Sequence, residues 1–455
     1  MVLGLRRTNS ITVVAMMTGF HATGFRYKSR HDPVISMSPP SSASHTLSTA
    51  YIRPEFSTKM KVTAAVAALA AGAVAAPSGD VPTPVKKVAA RAACASAVTL
   101  DASTNVFKNY KLHANNYYRD EVNKAVDAIT DSSLKTSAAK VADVGSFLWI
   151  DTIANLAKID SAVADTPCED ILGLVVYDLP GRDCAAKASN GELKYSEISR
   201  YKSEYIDPFV AKIKANPNTA FALIIEPDSL PNLVTNDDLQ TCKDSASAYE
   251  EGVAYALKSL NLPNVVMYID AGHGGWLGWD ANLAPGAAEL AKVYKSAGNP
   301  TQVRGFSTNI AGWNSWDQSP GEFSTAPDAQ YNSCQNEKTY VSKFSAALKT
   351  AGMPNYAIMD TGRNAVTGLR LEWGDWCNVN GAGFGVRPTA DTGDTQTDAF
   401  VWGKPGGESD GTSDSSATRY DSFCGKDDAY KPSPEAGAWN QAYFEMLVKN
   451  AKPAF

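Results

Sequence analysis

Beyond its first 75 residues, the 455-residue sequence has no apolar run of about 18 residues, so no transmembrane helix is expected. It has no C-x-x-C pair and only five histidines, too few to suggest a zinc site. No G-x-G-x-x-G stands where a strand would meet a helix, which removes the usual dinucleotide-binding signature. Positive charge is also short. Lys and Arg number 42 against 48 Asp and Glu, and without residues 1–75 the balance is 34 against 46, a net of −12. A chain this acidic is a poor ligand for nucleic acid and for anionic membranes, and neither is an expected partner. No cofactor or metal is called for.

What is present begins with a misplaced leader. Met60 opens "MKVTAAVAALAAGAVAAPSGD", in which a lysine precedes an apolar stretch and then Ala73-Val74-Ala75, a small-x-small cleavage pattern. Residues 60–75 read as a signal peptide, and residues 1–59 as an upstream extension or leader. Secretion follows as an expectation, with disulfides as the default state of the cysteines. Residues 76–104 are rich in Ala, Pro, Val and Ser without a period, and read as a propeptide or short linker. The cysteine count is seven, so at least one is left over, and Cys94 in this loose segment is the nominee.

From about Phe107 short apolar runs alternate with longer amphipathic stretches. The runs are 147–150, 171–177, 221–226, 264–269, 303–308, 356–359 and 399–402. Helix-like segments include 196–215, 245–260, 286–297, 336–350 and the final "AWNQAYFEMLVKNA". The alternation predicts an α/β fold, a distorted and roughly seven-stranded parallel barrel with its site at the C-terminal strand ends. An open doubly wound sheet is the alternative.

The runs end in Asp151, Asp178, Asp228, Asp270, Asn309 and Asp360. An aspartate after a strand is often only a turn or helix-cap residue. Six together, with Trp, Tyr, Arg and Cys beside them, point instead to a polar rim. Clustered carboxyl groups suit glycoside hydrolysis, because neighbouring negative charges raise one pKa and keep that group protonated as an acid. Asp228 follows an apolar strand and a proline, so it should be rigid and partly desolvated, with Asp183 in a nearby polar loop. Tryptophans suit the same chemistry, since their faces stack on sugar rings. Trp149, Trp276, Trp279, Trp313, Trp316, Trp373 and Trp376 cluster near strand ends, although a buried core tryptophan is the commoner case. "HGGWLGW" offers its two little local packing.

The blocks "SFLWIDT", "VVYDLPGRDCAAKASNGE", "IIEPDSLPNLVTN", "LPNVVMYIDAGHGGWLGW", "WGDWCNVNGAGFGVRP", "FVWGKPGGESDGTSDSS" and "AGAWNQAYFEMLV" recur in order over residues 147–455. In them the chain resembles glycoside hydrolase family 6, the fungal cellobiohydrolase II type. The resemblance implies a catalytic domain over 105–455 that hydrolyses β-1,4-glucan with inversion. It makes Asp228 the general acid and Asp183 the group that raises its pKa. Asp410 matches the carboxylate proposed as base, an assignment left open against a water chain near Ser189. Tyr177 lies beside the distorted sugar ring. The resemblance assigns sugar contacts to Trp149, Asp151, Asp270, His273, Trp276, Trp279, Asn309, Trp376, Lys404 and Glu408, and makes Arg363 the balance to the carboxylates. It pairs Cys184 with Cys242 and Cys377 with Cys424; it assigns no partner to Cys168 or Cys334, and a bond between those two is one alternative left open.

Full loops after Tyr177 and around residues 404–424 favour release of cellobiose from non-reducing ends by a monomer, over an endoglucanase. No cysteine- and aromatic-rich cellulose-binding module is visible, so weak adsorption to crystalline cellulose is expected. A non-catalytic glucan-binding protein would use the same platforms but not the three aspartates. A calcium site would need its acids along one ligand loop.

Overall fold

The computed structural model describes residues 94–455. The expected leader and signal peptide, and most of the expected linker, lie outside the described residues. Eight parallel strands form one sheet: β1 (Lys111–Leu112), β2 (Leu148–Ile150), β3 (Asp170–Val176), β4 (Ala220–Ile225), β5 (Val265–Asp270), β6 (Val303–Thr308), β7 (Tyr356–Asp360) and β8 (Thr397–Val401). The order from β3 to β8 is sequential, and β1 and β2 both pair with β3, at Asp170–Ile171 and Leu174–Val176 respectively. The circle is nearly closed where the Phe147 N–H, just before β2, donates to the Trp402 carbonyl after β8 at 2.9 Å. All seven expected strands are present. The two-residue β1 is too short to show a period.

The strands are apolar along their length because both of their faces are covered. Successive side chains point to opposite sides. Leu172, Leu174 and Val176 face the outer helices with Phe221, Leu223, Ile225 and Ile269. Ile171 and Val175 face the barrel interior with Ala222, Ile224, Val266, Tyr268 and Val401. The interior is therefore filled, and polar groups are free to gather only at its ends.

The helices follow the expected stretches with shifted ends. The helix Glu337–Ala351 starts at Asn336, whose side chain accepts the Thr339 N–H, and stops at Gly352 with φ of 80°. The stretch read as one helix over 196–215 has a wide π-type turn at Tyr201–Ile206 between two α segments. The helix Asn116–Ala128 was not anticipated; its buried side comprises only Tyr118, Val122 and Ala125.

Two readings of the N-terminal segment need correction. Residues 94–104 are fastened at several points rather than loose. Val98 and Leu100 donate backbone N–H bonds to Pro217 and Pro263, and Leu100 and Ala102 are buried with Phe107 beneath the barrel. The segment is neither helix nor strand, so its two buried residues, Leu100 and Ala102, seat separately and leave no period to read. Cys94, nominated as the unpaired thiol, is joined to Cys168, and Cys334 is the buried free cysteine. The alternative of a Cys168–Cys334 bond is thereby excluded, while Cys184–Cys242 and Cys377–Cys424 are both formed.

Candidate active site

The strands end where the backbone turns sharply. Asp183, Glu226, Asp228 and Asn309 all have positive φ, between 49° and 59°. This is the left-handed region, which costs a non-glycine residue roughly 1–2 kcal/mol. The surroundings hold each turn in place. Glu226 is fully buried and accepts the N–H groups of Asp178 and Leu179 and the Tyr201 hydroxyl. The Asp228 N–H donates to Asp270 Oδ2 at 3.1 Å. The turn after β4 is thereby tied to the ends of β3 and β5.

Four carboxyl groups converge here in unlike surroundings. Burial is the largest influence on Asp228 and pushes its pKa well up, followed by the charges of Asp183, Asp270 and Asp410. Burial also raises Asp183, opposed by the Arg182 charge and by hydrogen bonds from Ser189 and Tyr177. The Tyr177 hydroxyl donates to Asp183 Oδ2 at 2.6 Å. Burial pushes Asp270 up to about 7. Its Oδ2 accepts the N–H groups of Asp228 and Gly272, so it serves the backbone of the site more than a sugar. Asp410 is clamped by donors. Arg363 reaches both of its oxygens at 2.9 Å, and the Asn378 N–H reaches Oδ2 at 2.8 Å. Arg363 in turn lies 4.0 Å from the centre of the Trp313 ring.

The tryptophans divide by exposure. Trp313, Trp373 and Trp402 are buried and belong to the core. Trp149, Trp276, Trp279 and Trp376 are partly exposed. Indole N–H groups of three of them are satisfied within the protein: Trp149 on the Gly403 carbonyl, Trp276 on Thr235 Oγ1 and Trp279 on the Gly275 carbonyl. Such rings are fixed in direction and keep apolar surface for a sugar face. Trp149 meets Tyr177 edge-on at 4.8 Å between ring centroids, which ties a platform to the aspartate cluster.

Lys404 Nζ lies 3.2 Å from Glu408 Oε2 and 5.5 Å from the Trp149 ring. Glu121, absent from the sequence reading, joins this group from the helix Asn116–Ala128. Burial, then the Glu408 charge, pushes its pKa up to about 8. The available signal was position, since Glu121 falls three residues after buried Tyr118 and beside buried Val122. Asp151 spends its side chain on Asn155 and its carbonyl on Arg182. Asn309 requires correction as a sugar contact. It is fully buried, with its amide nitrogen on the Asp360 carbonyl and its amide oxygen on the Asn314 N–H. It holds the turn beneath the site.

Two long loops meet over the strand ends. The Lys187 N–H donates to Asp421 Oδ2 at 2.8 Å across 234 positions of sequence. Ala188 is fully buried against the Cys377–Cys424 disulfide, with Trp376 and Phe423 beside it. The first loop is anchored by Cys184–Cys242 and the second by Cys377–Cys424. The aspartates thus lie under a roof made of two pinned loops.

Comparison with known proteins agrees with this geometry. Residues 107–451 match the glycosyl hydrolases family 6. The chain is 68% identical over 398 residues to a 1,4-beta-D-glucan cellobiohydrolase CEL6C of Podospora anserina, covering 87% of this chain and all of that one. It is 49% identical over 371 residues to a putative endoglucanase type B of Fusarium oxysporum, covering 78% of each. Among solved structures it resembles cellobiohydrolase II (Cel6A) of Humicola insolens in complex with glucose and cellotetraose. That match has a TM-score of 0.72 and 46% identity, over 77% of this chain and 100% of that one.

Proposed function

The chain belongs to glycosyl hydrolase family 6, and from that premise we propose how its roofed site cleaves cellulose and which residues do so. The enzyme is an inverting cellobiohydrolase that cuts β-1,4-glucosidic bonds and releases cellobiose from non-reducing ends. The observation that carries the assignment of roles is the position of Asp228 among three other carboxyl groups, with no ion-pair partner among the described residues. Such a group keeps its proton near neutral pH and can give it to the glycosidic oxygen.

The glucan chain lies across Trp149, Trp276, Trp279 and Trp376. Asp228 donates its proton to the glycosidic oxygen as the C1–O4 bond breaks. A water attacks C1 from the opposite face, forms the new C1–O bond and inverts the anomeric centre. The water's proton leaves by way of Ser189 to Asp183, which is anionic beforehand and so supports the protonated state of Asp228. Asp410 is held by two donors, Arg363 and the Asn378 N–H, through three hydrogen bonds. It acts as a fixed negative charge opposite the developing positive charge on the sugar. Tyr177 supports Asp183 and packs beside the reacting ring.

The contact between the two loops favours chain-end action over endo attack, because an uncut chain interior cannot enter beneath a closed roof. Three disulfides among the described residues suit an oxidising compartment and support secretion. Hydrolysis of cellohexaose by wild type and by Asp228→Ala, with the anomer of fresh product read by NMR, tests the proposal. Release of α-cellobiose by wild type and its loss in the variant are expected. A β product, or full activity in the variant, would overturn it.

A further inference from the structure

His273 lies in the glycine-rich loop after β5, 6.0 Å from the Trp276 ring between centroids. Its Nδ1 faces the backbone N–H of Gly275 at 3.1 Å. A backbone N–H can only donate, so Nδ1 carries the lone pair and the ring proton sits on Nε2. A second contact agrees: Asn314 Nδ2 is also 3.1 Å from Nδ1. The Asn314 amide is oriented by charged groups at both ends. Arg370 donates to its oxygen at 2.7 Å, and its nitrogen donates to Glu337 Oε1 at 2.7 Å. Glu337 is fully buried and fixed by the Gly274 N–H at 2.8 Å and the Thr308 hydroxyl at 2.5 Å. Arg370 is held by Glu322 at 2.7 Å. Burial, then the Arg370 charge, pushes the His273 pKa down to about 3. The ring is partly exposed, and Nε2 makes no hydrogen bond among the described residues.

We propose that Glu337, Asn314 and Arg370 are positioning residues that lock His273 in its neutral Nε2–H form, as a fixed hydrogen-bond donor to an acceptor oxygen of the glucan beside Trp276. The inference rests on the reading of this site as a glucan site. It gives a role to a buried carboxyl group, Glu337, that the hydrolytic steps leave unused. It also separates binding from acidity. Asp270, raised to about 7, changes protonation between pH 8 and pH 4 while the histidine donor does not, since burial and the Arg370 charge hold the ring well below that range.

The test is NMR of the full chain labelled with 15N-histidine, followed from pH 8 to pH 4. The expected His273 signals are an unprotonated Nδ1 and a protonated Nε2, both flat with pH. A protonated Nδ1, or titration near the ordinary histidine value of about 6.5, would overturn the proposal. In an Asp228→Ala background, cellotetraose should move the Nε2 signal more than the Nδ1 signal. The expected tautomer with an Nε2 that ignores cellotetraose would overturn the donor role; the glucan-site reading is judged separately, by whether cellotetraose binds that variant at all. Arg370→Gln, which removes the charged donor that orients the Asn314 amide, should raise KM for cellotetraose about three- to tenfold with kcat little changed, while burial keeps the ring from titrating between pH 8 and pH 4. Arg370→Lys should keep KM closer to wild type. If Arg370→Gln fails to fold, the wild-type signals decide alone.

Discussion

Asp228 was legible from the sequence because its setting is local: an apolar strand, a proline, then an acid. Glu121 was not, because a glutamate in a helix normally faces water. Only the fold brings it against Glu408, and the pair has a consequence for stability. Its folded pKa of about 8 lies above the ordinary glutamate value. Folding therefore favours the protonated form. The stabilisation is complete below about pH 4 and is lost as pH rises toward 8, where the buried Glu121 must ionise. Glu121→Gln should raise the thermal midpoint at pH 8 and leave it nearly unchanged at pH 4.5, as read by calorimetry at both values. An equal shift at both would mean that the effect is packing and not ionisation. Asn309 erred in the opposite direction. Its type and its place after a strand suggested a sugar contact, but its amide is consumed by the turn it supports.

Among the elements, the seven long strands could be read because burial on both faces leaves an unbroken apolar run. The loops could be located but not closed from sequence. Nothing in "KASNG" or "RYDSFC" reveals that the Lys187 N–H meets Asp421. A hydrogen bond to a carboxylate is among the stronger kinds, and it joins loops that otherwise touch through Ala188 and a disulfide. Asp421→Ala should loosen the roof. Activity on carboxymethyl-cellulose, where cuts fall within chains, should rise relative to release of cellobiose from cellohexaose, and Asp228 chemistry should persist. An unchanged ratio would show that the Ala188 packing alone keeps the roof closed. The disulfides reinforce the same elements. Closing 58 and 47 positions each restricts the unfolded chain by about 4 kcal/mol in the chain-entropy description.

For the whole molecule, the fold class followed from the alternation of periods, and the position of the site followed from it, since parallel strands put all their C-terminal ends on one rim. The lower boundary of the domain did not follow. Composition suggested a linker to residue 104, whereas the chain from Cys94 is fastened under the barrel through Leu100, Ala102 and the Cys94–Cys168 bond. Arg304 strengthens that floor, donating to the Ser103 carbonyl and holding Asp398 at 2.8 Å. Deleting residues 94–104 should lower the thermal midpoint by several degrees while the anomer of the product stays the same. An unchanged midpoint would restore the linker reading.

The central claim is that Asp228 supplies the proton to the leaving oxygen. It is tested most directly by comparing Asp228→Asn with wild type on cellotetraose and on a dinitrophenyl β-cellotrioside, whose leaving group needs no proton. The account predicts that kcat on cellotetraose falls by about 10²–10⁴-fold and that cleavage of the aryl glycoside stays within about tenfold of wild type. Equal losses on both substrates would contradict it and would move Asp228 from acid catalyst to binding or support.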